Sequence, residues 1–584
     1  MFTVFSFENS SIALKNSKLL LFLPLMNASK KVSGSLIKNP KTSYEKFENW
    51  AAKNDSNIFL FLMLFCVFLT FISFNARISE AHDDALYLEG GWRYINEFPK
   101  YFYTQNAPLY PLFLALLIKV FGFKLILFKL FSAVFNLLGF ALFYKALKGR
   151  IPAVVFIPVV IFQAVNHLII YYASMTFTEA FYFFLQGFFF FYAVKVVETL
   201  IKDGLQFKSQ LKLWILFGLS MFLVSTAKSS AIVVIPAVVL FFFLEKNYKA
   251  LGLSLAAYLV FKLPYELIVK LVWQAQNQFK GQSKILLQKD PYDKSLGDED
   301  LGGFVTRFIE NCNLSFSKRF YQLLGWRDES SFEVYGLITL LTIAIALFGF
   351  WKLFKGNHKV MTVLALFTGA QLVLSFVILQ TKWDQPRITL VCMPIVLILI
   401  LYALYSFTNK PGFGQTIYFA IVLLMIGSVT VSSLKRGFKN LPIIQKNLKG
   451  DKYFGYTQDW QNFLRCSEWC ADSLDANAFV ASRKAPMSFV YGKGKKFFPI
   501  YSVVQRDTST KMSNPDSALV YFQKNKVTHV MLASLRANPK DPAMGIINTV
   551  HHIMYPIMEK YPQKLRLVHT EGMYENTEVY EILY

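Results

Sequence analysis

The chain alternates long uncharged apolar runs with short polar links. Residues 57–75, "NIFLFLMLFCVFLTFISFN", form the first such run. About 17–25 apolar residues are enough to cross a bilayer as one helix, and a helix satisfies its own backbone polar groups in hydrocarbon. Further runs predict spans at about 125–144 and 151–170, one ending near 197, and spans at 250–271, 334–353, 360–379, 389–407 and 416–433. Residues 213–249 are too long for one span and divide at "STAKSS" into two short ones. The fold class is therefore a polytopic α-helical membrane protein of about eleven transmembrane helices. Residues 107–122, "APLYPLFLALLIKVFG", are apolar but short and open on two prolines. They read as a helix at the interface or half-embedded, since proline suits a helix start.

Loop charge orients these spans. Residues 1–56 carry eight Lys against four acidic residues, which predicts a cytoplasmic N-terminal segment by the positive-inside rule. Residues 57–433 then form the transmembrane domain. Residues 76–107 are a first external loop with five acids and three Lys or Arg. Residues 273–330 are a long external loop that includes the amphipathic stretch "LGGFVTRFIENCNLSFSKRFYQLLGW"; an insert this long commonly has a task. Residues 434–584 are expected outside, although Lys435, Arg436 and Lys439 lie on the side that the rule disfavours.

The tail has another pattern. Helix-like "TQDWQNFLRCSEWCADSL" precedes strand-like "AFVASR", "SFVYG" and "KFFPIYSVV", then helix-like "PDSALVYFQKNK" and strand-like "VTHVMLAS". A helix around "GIINTVHHIMYPIMEKY" and a terminal hairpin, "LRLVHTEG" with "TEVYEILY", complete it. Helices alternating with strands predict a C-terminal extracytoplasmic α/β domain. It holds no glycine-rich nucleotide loop, HExxH or GxSxG motif.

The net charge of +24 would suggest nucleic acid in a soluble protein. Here the cations belong to cytoplasmic loops and anionic lipid, and no nucleic-acid partner is expected. Cys466 and Cys470 lie four apart with no nearby His or Cys set, which argues against zinc, and five cysteines are too few for a disulfide scaffold. Near the start, "KNSKLLLFLPLM" has the layout of a targeting segment but is too short to span. Translation from Met26 is an alternative, so residues 1–25 are expected to be dispensable.

The informative charges cluster at the predicted external face. Directly after the first span come His82, Asp83 and Asp84. A carboxylate here can take a proton from an acceptor hydroxyl or hold a divalent metal ion, or simply face water or cap a helix. Glu179 opens a later span, where an acid is favourable in a helix's first turn. Lys228 sits alone at a turn between two apolar spans. Lys382, Asp384 and Arg387 precede another span, and Arg387 can snorkel to headgroups or grip a lipid phosphate. Acids and cations thus meet on one face, as transfer from a phosphate-linked lipid requires.

"HDDALYLEGGWRYINEF…NAPLYPLFLALLIKVFG" followed by "KLFSAVFNLLGFALFYKAL" resembles the start of GT-C membrane glycosyltransferases. The nearest likeness is to the protein O-mannosyltransferase and lipid A aminoarabinose transferase group. "FTEAFYFFL", "FGLSMFLVSTAKSSAIVVIPAVV" and "QPRITLVCMPIVLILI" follow in the family's order, and the tail looks like the extracytoplasmic domain of many bacterial members. Ala107-Pro108 stands where members often have Pro-Pro, Asp83-Asp84 where they have Asp-Glu, and Arg387-Ile388 where they have Arg-Tyr.

The resemblance implies an inverting transferase that moves a sugar from a polyprenyl-phosphate donor to a lipid, glycan or protein acceptor outside the bacterial inner membrane. It makes Asp83 the first choice for base or metal ligand and Asp84 the second. Lys228 and Arg387 are placed to meet the charge that develops on the lipid phosphate, with Glu179 beside them. Tyr87 and Tyr110 are expected to stack on sugar or line the groove. Two rivals stand beside this reading. A flippase of a lipid-linked sugar would show charges in mid-span; Lys119, Lys129, Lys262 and Lys270 are the residues that raise it. A non-catalytic subunit of cell-envelope glycan assembly is the other.

Overall fold

The computed structural model describes residues 37, 39–273, 285–291, 296–328, 331, 333–383, 386–507, 509–539 and 542–584. The suggested start at Met26, Asp384 and parts of the 273–330 loop lie outside the described residues. The first helix, α1 (Ser43–Ile72), begins earlier than residue 57 because Thr42 and Glu45 form a capping box. Then come α2 (Asp83–Asn96), α3 (Leu109–Phe121), α4 (Leu125–Leu147), α5 (Ala153–Val165), α6 (His167–Ala173), α7 (Thr178–Asp203), α8 (Phe207–Ala227), α9 (Val234–Leu244) and α10 (Tyr248–Trp273). After α11 (Leu301–Asn313), α12 (Phe320–Leu323) and α13 (Gly336–Lys355) follow α14 (Lys359–Ile378), α15 (Arg387–Leu390), α16 (Met393–Phe407) and α17 (Phe413–Leu448).

Seven helices among the described residues are long and apolar enough to cross a membrane, or eight if α5 and α6 count as one bent span. The chain is a multi-pass integral membrane protein. The remainder of the eleven predicted segments are also helical, but Ser229–Leu244 and Met393–Phe407 are short, and α10 carries Lys249, Lys262, Glu266 and Lys270. The segment predicted as one span over 151–170 is broken. α5 and α6 meet at 48°, because Asn166 adopts an extended backbone and its side chain caps the amides of Leu168 and Ile169. The last apolar helix continues past residue 433 to Leu448, so Lys435, Arg436 and Lys439 lie within a helix rather than a loop.

Close helix crossings depend on glycine. A Cβ on Gly218 of α8 would lie 2.3 Å from the Ala257 carbonyl oxygen of α10. Gly218→Ala must therefore push two helices apart, and overpacking of this kind costs about 1–3 kcal/mol. We expect a lowered thermal midpoint in detergent. Gly252→Ala, on the same α10 but facing open space, should leave the midpoint unchanged or raise it.

The tail folds as an α/β domain. It contains α18 (Gln458–Ser473), β1 (Val480–Ser482), α19 (Ala485–Tyr491), β2 (Phe497–Pro499), α20 (Pro515–Lys524), β3 (His529–Ala533), α21 (His551–Lys560), β4 (Leu565–Glu571) and β5 (Thr577–Ile582). The sheet order is β2-β1-β3-β5-β4. β1 runs parallel to both β2 and β3, whereas β5 is antiparallel to β3 and β4. The stretch "SFVYG", predicted as a strand, is helix α19. Parallel β1 and β2 need a crossover connection rather than a hairpin, and Pro486 in the first turn suits the helix. One sheet face, with Ala481, Val530, Leu532 and Ile582, packs with Phe522 of α20 and Ile553 of α21. The other, with Val480, Met531 and Val579, joins a core continuous with the membrane helices.

Candidate active site

The loop after α1 is shaped by Ser79 and Asp84. Asp84 is completely buried and accepts hydrogen bonds from the Ser79 amide and hydroxyl, both at 2.9 Å. This bracket turns the chain so that α2 starts at Asp83, with His82 before it in the left-handed region at φ 63°. Lys129 of α4, also completely buried, donates to the Arg77 carbonyl at 2.5 Å and the Ser174 carbonyl at 3.4 Å. Asp84 therefore braces the loop, and only Asp83 of the pair keeps an opening to solvent, with 24% of its side chain exposed.

Burial pushes the Asp84 carboxyl up to about 6, with Lys129 acting in the opposite direction. The folded state thus holds this proton more tightly than the unfolded chain. Its contribution to stability is full below about pH 4 and is lost as pH rises to about 6. Asp84→Asn should remove that decline, worth about 3 kcal/mol at 1.36 kcal/mol per pKa unit. Thermal unfolding between pH 4 and 7 checks it, with a flatter profile expected for the variant.

Four charged groups from separate elements meet beside this loop. Asp83 is paired with Arg387, the first residue of α15, whose guanidinium lies 4.8 Å from the Phe177 ring centre. Glu179, in the first turn of α7, is paired with Lys228 at 3.1 Å. Lys228 occupies the break between α8 and a short 3-10 turn, Ser229–Val233. Tyr87 lies within electrostatic reach of Arg387, Glu179 and Asp83. The sequence placed these four charges on a common face; the fold resolves them into two cross-element ion pairs.

Other residues fall differently. Tyr87 and Tyr110 are buried, with rings edge-on at 5.7 Å, and Tyr110 also packs on Phe181 at 5.4 Å. They are packed into the wall beside the two ion pairs. Lys382 is paired with Asp290. Lys129, which raised the transport reading, serves the loop at the end of its helix. Lys262 is paired with Glu266 on its own helix.

The C-terminal domain roofs the site with side chains that sequence reading missed. In open α/β sheets, ligands lie beyond the carboxyl ends of parallel strands. Here Arg483 and Lys484 leave the end of β1, and Tyr501 follows β2. Lys484 donates to the Glu80 carbonyl at 2.8 Å. Tyr501 stacks on His82 at 5.9 Å, and Arg483 lies 5.6 Å from the Tyr501 ring centre. Tyr456 reaches the Ile78 carbonyl at 2.5 Å. Burial first, and then Lys484, Arg483 and Arg387, hold the His82 imidazole well below its usual value. On α2, burial pushes Glu89 up to about 7, with Arg93 acting against it. The one available signal was "RK" directly after a strand; its opposition to residue 82 is purely tertiary.

Each of the three acids is engaged by the chain itself. Asp83 faces a guanidinium, Asp84 is bound by Ser79, and Glu179 faces an ammonium. Among the described residues no three His, Cys, Asp or Glu side chains gather to hold a metal ion.

No family model matches the chain, and no curated protein matches it. Solved structures do. ArnT from Cupriavidus metallidurans in the apo state superposes with a TM-score of 0.52 at 12% identity, covering 91% of this chain and 98% of that one. The same protein bound to undecaprenyl phosphate gives 0.50 at 12%, over 89% and 97%. The archaeal oligosaccharyltransferase AglB from Archaeoglobus fulgidus, in complex with an inhibitory peptide and a dolichol-phosphate, gives 0.53 at 11%, over 90% and 74%. The similarity spans both the helical bundle and the tail, and the chain has a GT-C-like fold.

Proposed function

We propose that the protein is an inverting glycosyltransferase, moving a sugar from a polyprenyl-phosphate donor to an acceptor at the outer face of a bacterial inner membrane, with the C-terminal domain in the periplasm. The observation that carries this is the convergence of Asp83–Arg387 and Glu179–Lys228 where the helical bundle meets the C-terminal domain. The structural relatives captured with undecaprenyl phosphate and dolichol-phosphate support a lipid-phosphate donor.

Transfer needs three things at this point. The acceptor oxygen must lose a proton as it attacks the anomeric carbon, a role for the open carboxylate of Asp83. The departing lipid phosphate must meet fixed positive charge, which Arg387 and Lys228 supply. Water must be kept from the reacting carbon, a role for the roof of Tyr501, Arg483 and Lys484. The resting ion pairs fit such a cycle. A donor phosphate competes with Asp83 for Arg387, so donor binding frees the base when the leaving group is in place. Glu179 keeps Lys228 oriented toward the same point.

The test is release of polyprenyl phosphate from a polyprenyl-phosphate sugar by the protein in nanodiscs supplied with an acceptor fraction of envelope lipid, glycan and protein, with parallel proteoliposomes scored for sugar lipid on each leaflet. Release of lipid phosphate is expected. Movement of intact sugar lipid between leaflets without bond cleavage would instead establish a flippase. Neither event would point to a non-catalytic subunit.

A further inference from the structure

The sheet face under α20 and α21 contains a cavity of about 240 Å3 that the transfer site does not use. Ser534, His551, Tyr555, Asn576, Glu578 and Tyr580 line it. Strand side chains alternate between faces, and Leu532 pairs directly with Glu578, as Val530 does with Tyr580. Glu578 therefore shares the helix-covered face with Val530, Leu532 and Ile582, which are core residues. A covered sheet face is expected to be apolar. At this end it instead carries a carboxylate, an amide, hydroxyls and an imidazole, and breaks of pattern of this kind concentrate at functional sites.

The polar groups are already oriented. Glu578 accepts from the Tyr580 hydroxyl at 2.7 Å and from Asn576 Nδ2 at 3.1 Å, which fixes the carboxylate and leaves it further capacity to accept. Ser534 Oγ lies 3.2 Å from His551 Nε2. His551 Nδ1 is buried with no hydrogen-bond partner, so no acid orients the ring and the pair lacks the third member of a nucleophilic triad. This is binding rather than hydrolytic chemistry. Tyr555 is 49% exposed and meets the His551 ring edge-on at 5.4 Å, leaving ring surface open at the rim.

The lining holds no Lys or Arg, and the Glu578 carboxylate repels anions. The volume is too small for a lipid. A carboxylate and directed hydrogen-bonding groups beside aromatic rings, with no cation, suit a small, hydroxyl-rich ligand that carries no negative charge. We propose that this cavity binds one neutral or amino sugar unit. Its use in retaining a glycan acceptor near the transfer site rests on the glycosyltransferase reading; the binding itself does not.

Saturation-transfer NMR on the full-length protein in nanodiscs tests it with glucose, galactose, mannose, N-acetylglucosamine, glucosamine and glucuronate as separate probes. At least one neutral or amino sugar should receive saturation. Glucuronate should bind at least about 10-fold more weakly, a difference of about 1.4 kcal/mol. Glu578→Ala and Tyr555→Ala should each abolish the signal, and Asp83→Asn should leave it intact. Tyr555 is half-exposed, so its variant should keep the fold even if that of Glu578 does not, as a thermal melt will show. No signal from any neutral or amino sugar, a signal that survives Tyr555→Ala, or one lost in Asp83→Asn would overturn the proposal. Failure of the transfer reading would appear separately, as absent donor turnover with sugar binding retained.

Discussion

Asp83→Asn is expected to lower kcat for donor turnover by about 10²–10⁴-fold, the usual contribution of a positioned general base. The amide keeps the size of the side chain but cannot take a proton. It also removes the carboxylate that competes with a donor phosphate for Arg387. The KM for donor should therefore stay level or fall while kcat collapses. A purely architectural role would raise KM or reduce folded protein instead. Glu89→Gln supplies the comparison, because burial pushes this third α2 carboxyl up to about 7, within the range of a general base. A few-fold change there with a collapse at Asp83 would assign the base to Asp83. The reverse would move the role to Glu89, and normal turnover in both would remove α2 from the proton transfer.

Much of this arrangement is legible in the sequence because membrane constraints are strict. Uncharged runs must be helices, and polar side chains with a purpose collect at their ends. That logic identified Asp83, Glu179, Lys228 and Arg387 together. Residue type alone could not separate Asp83 from Asp84, which only the family resemblance ranked, since adjacent identical residues look alike until the Ser79 bracket buries one of them. It left open whether Tyr87 and Tyr110 stack on sugar or line the groove, because aromatic residues near an interface carry no sequence mark for which way they pack. The break at Asn166 escaped it because Gln163, Asn166 and His167 carry no formal charge inside a long apolar run, and the cap is one side chain among them. The roof residues Arg483, Lys484 and Tyr501 belong to another domain, and only tertiary packing sets them opposite His82. "SFVYG" misled for a related reason. Its composition favours a strand, yet joining parallel β1 and β2 leaves those residues the work of a crossover helix.

Lys228→Met is expected to damage both stability and turnover, and the two losses can be separated. Only 2% of the Glu179 side chain is exposed, so removing its ammonium partner leaves a carboxylate with little access to water. Breaking a buried pair in this way costs about 3–5 kcal/mol, whereas replacing both members with uncharged groups of similar size is often neutral. The double variant Lys228→Met/Glu179→Gln should therefore regain most of the lost thermal stability. It should not regain turnover, because the cation that meets the departing phosphate is still missing. Loss of one such group commonly costs about 10²–10³-fold in kcat. Arg387→Ala should behave in the same way toward the donor, with a raised KM or a lowered kcat. If the stabilised double variant turned over donor at the wild-type rate, Lys228 would be a structural partner of Glu179 and nothing more, and the leaving-group charge would fall to Arg387 alone.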